Sequence, residues 1–99
     1  MSTDVVLEKK KTTTLKEPGK FKVIVCNDDV TPIDFVIVML MTVFHHDESS
    51  ARDITLKIHN EGTGIAGIYT FEIAEQKSIE ATSMARNNNF PLILKVVPE

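Results

Sequence analysis

Cysteine is almost absent from this chain of 99 residues: Cys26 stands alone, so no internal disulfide can form. Its setting in an apolar strand reads as a buried, inert thiol. No apolar run reaches membrane-spanning length, and no signal peptide is visible. A reducing, cytoplasmic compartment without membrane contact is the resulting expectation. The chain has no Gly-rich phosphate loop, no H-x-x-x-H run, no cysteine pair and no internal repeat. The usual local signatures of nucleotide and zinc sites are therefore missing, and no cofactor is implied. A surplus of positive charge is missing too. Net charge is −3, and residues 21–99 hold six basic groups against eleven acidic ones. That balance argues against nucleic acid as a partner and suits a cationic ligand.

What is present supports one small domain. The composition is 42% apolar and 25% charged, enough for a core. Residues 1–20 carry five lysines against three acids, lack periodicity and run up to Pro18-Gly19-Lys20, so they read as a mobile amino-terminal extension. Residues 21–99 form the core domain. The β-branched run Phe21 to Cys26 reads as a strand. Asn27 and Asp28 break it, because their side chains compete for nearby backbone groups. Thr31 then Pro32 reads as N-cap and first helical residue, with Asp34 as an acidic capping-box partner.

The first helix is expected over about Pro32 to His45. Ile33, Val36, Ile37, Leu40, Met41 and Phe44 follow helical spacing, while Phe35, Val38, Met39 and Val43 add apolar groups on other faces. A helix so apolar is covered on several sides or leaves surface for a ligand. A second helix spans about Ser49 to Glu61 and stops at Gly62. A strand over Ile65 to Tyr69 follows, then a helix over Phe71 to Arg86 whose Ala74, Ser78, Ala81 and Ala85 suit close packing on a sheet. Leu92 to Val97 is the last strand. The order strand-helix-helix-strand-helix-strand predicts an α/β two-layer sandwich, with a three-stranded antiparallel or mixed sheet under three helices.

The polar candidates are Asn27, Asp28, Asp29, His45, His46, Asp47 and His59. His45, His46 and Asp47 are consecutive, so they splay apart on a helix end and suit solvent better than a metal ion. Cys26, His59 and Asp28 imitate a thiol triad on paper, but nothing suggests an oxyanion hole. An ammonium group fits better. It needs a charge, an amide oxygen and a further acceptor, which Asp28 or Asp29, Asn27 and neutral His59 supply. Beside apolar helix stripes, such a corner describes a receptor for an N-terminal residue with a bulky side chain. The plainer alternative, and the commoner use of such residues, is a turn made by Asn27 and Asp28 with His59 on the surface. The residues alone leave both readings open.

The run Val25-Cys26-Asn27-Asp28-Asp29-Val30-Thr31-Pro32-Ile33-Asp34-Phe35-Val36 resembles the signature of the ClpS adaptor family. His59 and Gly62, then Gly67-Ile68-Tyr69-Thr70, Glu72 to Lys77 and Pro91-Leu92, match it in register, so the likeness spans about residues 21–97. The resemblance implies an adaptor, not an enzyme. It would capture substrates with N-terminal Leu, Phe, Tyr or Trp and deliver them to a Clp AAA+ unfoldase, ClpA or ClpC, partnered with ClpP. Asn27, Asp29 and His59 would contact the α-amino group, with Asp28 adjacent or acting through water. Thr31, Ile33, Val36, Thr55, Ile58 and Leu92 would line the side-chain pocket. Glu72 and Lys77 would dock the unfoldase's N-terminal domain, and residues 1–20 would drive hand-off. The family usually carries Met at position 33 and often Met at position 55, so Ile33 and Thr55 imply a shifted side-chain ranking. A monomer is expected. Other readings are the related domain of eukaryotic N-end-rule ubiquitin ligases, or a regulator that docks on the unfoldase without binding degrons.

Overall fold

A computed structural model describes residues 19–99. Its elements are β1 (Lys20–Cys26), α1 (Ile33–Thr42), α2 (Glu48–Glu61), β2 (Thr63–Thr70), α3 (Phe71–Asn87) and β3 (Ile93–Pro98). The expected order holds, and the sheet is wholly antiparallel, with β1 at the centre between β2 and β3. β1 begins at Lys20, inside the stretch expected to be the extension; the rest of that expectation, on residues 1–18, lies outside the described residues.

The inner sheet face is buried by the helices. Val23 and Val25 are fully buried, and α3 packs across all three strands through Ala74, Ala81 and Ala85, each without exposed surface. Small side chains let the helix backbone approach the sheet closely. Helix α2 packs on β2, and α1 on α2. Met39, Leu40 and Val43 complete the core. The outer sheet face is open among the described residues, and half-buried Cys26 lies on it, not in the core as expected.

Helix α1 departs from expectation at both ends. Pro32, not Thr31, is the N-cap, because Asp28 has already taken the Thr31 N–H and hydroxyl. Phe35 and Val36 then donate to the Pro32 carbonyl, so the capping box with Asp34 does not form. The helix stops at Thr42, short of the expected His45, where the chain turns left-handed with φ 60°. His46 is no solvated helix end. Its backbone N–H donates to the Leu40 carbonyl, and its Nε2 bonds the Ala66 carbonyl. Ala66 is the extra residue where β1 and β2 shift register, so the imidazole takes up a carbonyl at a bulge. Asp47 caps α2 by accepting from the Ser50 N–H at 2.8 Å, and Gly62 ends α2 at φ 92°, a conformation that favours glycine.

Candidate functional site

Three segments meet at the carboxyl-terminal end of β1. Cys26 pairs with Thr63 on one side and with Ile93 on the other. The Asn27 N–H donates to the Gly62 carbonyl at 2.8 Å, and the Gly62 N–H donates to the Ile58 carbonyl at 2.9 Å. The end of α2 is thereby fastened to the residue that follows β1. On the β3 side, Arg86 Nη1 donates to the carbonyls of Phe90 at 2.8 Å and Leu92 at 2.9 Å, which fixes the approach to Leu92. Sequence reasoning missed Arg86. Its signal is a cation in the last turn of a helix just before an asparagine run.

Asp28 holds the turn. Its Oδ1 accepts from the N–H groups of Val30 at 2.8 Å and Thr31 at 2.7 Å, and its Oδ2 accepts from the Thr31 hydroxyl at 2.8 Å. Partial burial pushes this carboxyl up, but the bonds from Thr31 and Val30 and the nearby Arg86 charge outweigh it and hold the group below its ordinary value. Asn27, Asp29 and His59 are exposed, and among the described residues their side chains make no hydrogen bond. Their acceptors are uncommitted.

The residues expected to line a side-chain pocket separate by depth. Leu92, Thr55, Ile58 and Val36 are buried, Thr31 is half-buried and Ile33 is 44% exposed at the edge. Thr55 turns its hydroxyl back onto the Ala51 carbonyl of its own helix at 2.7 Å, so its polar atom is already satisfied within α2. Gly64 stands against Ile58, where an added Cβ would lie 2.7 Å from Ile58 Cγ1.

Glu72 and Lys77 lie away from this corner, at the start of α3. Glu72 is exposed. Lys77 is half-buried; its Nζ donates to the Val43 carbonyl at 2.9 Å and sits 5.5 Å from the Tyr69 ring centroid. It therefore closes the end of α1. Among the described residues, no group of three or more His, Cys, Asp or Glu residues is arranged to hold a metal, and no helix is long and apolar enough to cross a membrane.

Uncommitted polar acceptors at the end of the central strand of a small α/β scaffold suit a binding module. The family of the ATP-dependent Clp protease adaptor protein ClpS matches residues 16–95, and the chain belongs to this ClpS family. The Clp protease adapter protein ClpS of Shewanella piezotolerans is 51% identical over 79 residues, 80% of this chain and 78% of that protein. That of Campylobacter jejuni is 49% identical over 87 residues, 88% and 91% of the two chains. That of Acetivibrio thermocellus is 39% identical over 99 residues, the full length of both. Among solved structures, Agrobacterium tumefaciens ClpS2 bound to L-phenylalaninamide superposes with a TM-score of 0.82 at 36% identity, covering 84% of this chain and all of that one.

Proposed function

We propose that this adaptor captures proteins bearing N-terminal Leu, Phe, Tyr or Trp and delivers them to a Clp AAA+ unfoldase, ClpA or ClpC, for degradation by ClpP. The observation that supports the reading is the corner after β1, where the exposed Asn27 and Asp29 keep uncommitted acceptors and the Asn27 N–H is fastened to Gly62, at the end of the helix that carries Ile58. L-phenylalaninamide, bound to the Agrobacterium protein, has a free α-amino group and a benzyl side chain, the first residue of a peptide in miniature. Asn27, Asp29 and His59 would take the amine. Asp28 would hold the turn and add negative charge. Thr31, Ile33, Val36, Thr55, Ile58 and Leu92 would receive the side chain.

The chemistry is sufficient without a covalent step, so the adaptor acts by binding and not by catalysis. An α-amino group with a pKa of about 7.7–8.0 is mostly charged at neutral pH. Hydrogen bonds to such a cation contribute about 1.5–3 kcal/mol each, and burial of a Phe or Leu side chain adds about 1.5–3 kcal/mol. After association costs, about −8 to −9 kcal/mol remains, a micromolar to sub-micromolar affinity. Glu72 and Lys77 would meet the unfoldase's N-terminal domain, and residues 1–20 would engage the unfoldase during hand-off. The adaptor would act as a monomer in the cytoplasm.

The test is fluorescence anisotropy with peptides that differ only in residue one: Leu, Phe, Tyr, Trp, Ile, Val, Met and Ala, plus N-acetyl-Phe. The reading expects binding of Leu and the aromatics, silence from acetyl-Phe, and strong loss in Asp29→Ala with unfoldase docking retained. Equal affinity for acetyl-Phe and Phe would overturn the amine site. Absence of binding by every peptide would overturn the degron reading altogether.

A further inference from the structure

The outer face of the sheet has a composition unlike the rest of the molecule. Register places Lys22 between Ile68 and Val97, and Ile24 between Ile65 and Lys95. Ile65 and Ile68 are each 41% exposed, and Ile93, at the end of the face, is 52% exposed. Among the described residues, all three helices lie on the opposite side, so no element covers these side chains. Residues 19–99 hold eleven acids and seven Lys or Arg residues, yet no outward strand position carries a carboxylate. The nearest by register is Glu99, one residue past β3, whose N–H bonds the Lys20 carbonyl at the corner of the face. Lys22 and Lys95 are diagonal neighbours on adjacent strands, within reach of each other's long side chains. Like charges so placed repel, and a carboxylate lodged between them would pair with both.

We propose that this face docks an acidic segment of a partner polypeptide. One carboxylate enters between Lys22 and Lys95, and aliphatic side chains on either side of it cover Ile24, Ile65 and Ile68. The face sets two cations among exposed aliphatic side chains, which matches a segment that alternates acids with aliphatic residues. A single-stranded nucleic acid fits worse. No outward position carries an aromatic ring for base stacking. An anionic membrane fits worse too, because the surrounding acidic surface opposes it while each lysine near a bilayer contributes only about 1 kcal/mol. The surface does not use the corner after β1, so the proposal stands apart from degron binding.

The test is an amide-resolved NMR titration of the full chain with acetyl-Ser-Leu-Glu-Leu-Glu-Leu-Ser-amide, whose blocked amine cannot occupy a site for free amino groups. Shifts confined to the outward positions of β1, β2 and β3 are expected. Lys22→Glu combined with Lys95→Glu should weaken binding at least about tenfold, as should Gln in place of Glu in the peptide. Thermal unfolding checks that the double variant is folded. No shifts at millimolar peptide, shifts at other surfaces, or equal binding by the double variant would overturn the proposal. Binding of oligouridine or phosphatidylglycerol vesicles at this face, with the peptide silent, would overturn it in favour of a phosphate-bearing occupant.

Discussion

Replacing Asp28 by alanine removes three hydrogen bonds at once. Two come from backbone N–H groups and one from the Thr31 hydroxyl, all at 2.7–2.8 Å. The arrangement works like an N-cap set ahead of α1, so the loss is comparable to deleting a good cap. Val30 is exposed and water replaces its bond, whereas half-buried Thr31 recovers less. The expected cost is about 1–2 kcal/mol. For a domain of this size that lowers Tm by about 5–15 °C. Asp28→Asn keeps an acceptor for the two N–H groups and should fall between wild type and alanine.

The pH dependence gives the sharper check. The Asp28 carboxyl is held below its ordinary value of 3.8 in the folded chain. A lowered folded value means that the unfolded chain takes up the proton first as pH falls. The charged contribution is therefore fully present above about 3.8, and it is lost as pH drops through the folded value. Urea denaturation of wild type and Asp28→Ala should show the full gap near neutral pH and a narrowed gap well below pH 3.8. A gap that stays constant across this range, or no gap at neutral pH, would refute the assignment of Asp28 as the charged lock of the turn.

Lys77→Met should lower stability by about 1–2 kcal/mol, read as a Tm shift, because it removes the bond to the Val43 carbonyl and the contact with Tyr69. An unchanged Tm would show that Lys77 is free for docking alone. Gly64→Ala should cost about 1–3 kcal/mol by forcing Ile58 off its seat, and a smaller loss in an Ile58→Ala background would confirm the clash; a neutral Gly64→Ala would refute it. Thr55→Val should leave the ranking of N-terminal residues unchanged in anisotropy, since the hydroxyl is already spent on the Ala51 carbonyl. A reordered ranking would show that this hydroxyl acts in the pocket.

Most of the fold is legible because periodicity and turn chemistry are local. The alternation of Val23 and Val25 marks β1, the small-residue face marks α3, and Gly62 marks the end of α2. The misses involve partners that spacing alone does not single out, some near in sequence and some far. Thr31 has the chemistry of a cap, and only the competing claim of Asp28 sets it aside. His46 looks like a solvated residue until the bulge at Ala66 presents a carbonyl to it. Cys26 obeys strand alternation, which names two faces without saying that helices cover one of them. At the site, spacing gathers Asn27 and Asp29 because they adjoin in sequence, whereas the bond from Arg86 to the Leu92 carbonyl belongs to the tertiary structure.

The site's place follows from β1 being central and antiparallel to both neighbours. Its carboxyl-terminal end then faces the start of β2 and the approach to β3, so segments far apart in sequence close on Asn27. Two helix ends of opposite polarity meet there. The amino terminus of α1 carries partial positive charge, which Asp28 ahead of it and Asp34 in its first turn offset. The carboxyl terminus of α2 carries partial negative charge and ends beside Asn27 at Gly62. A corner with one pole offset by acids and the other left negative would suit the ammonium group proposed for Asp29 and Asn27, with the nearby Arg86 charge opposing it in part.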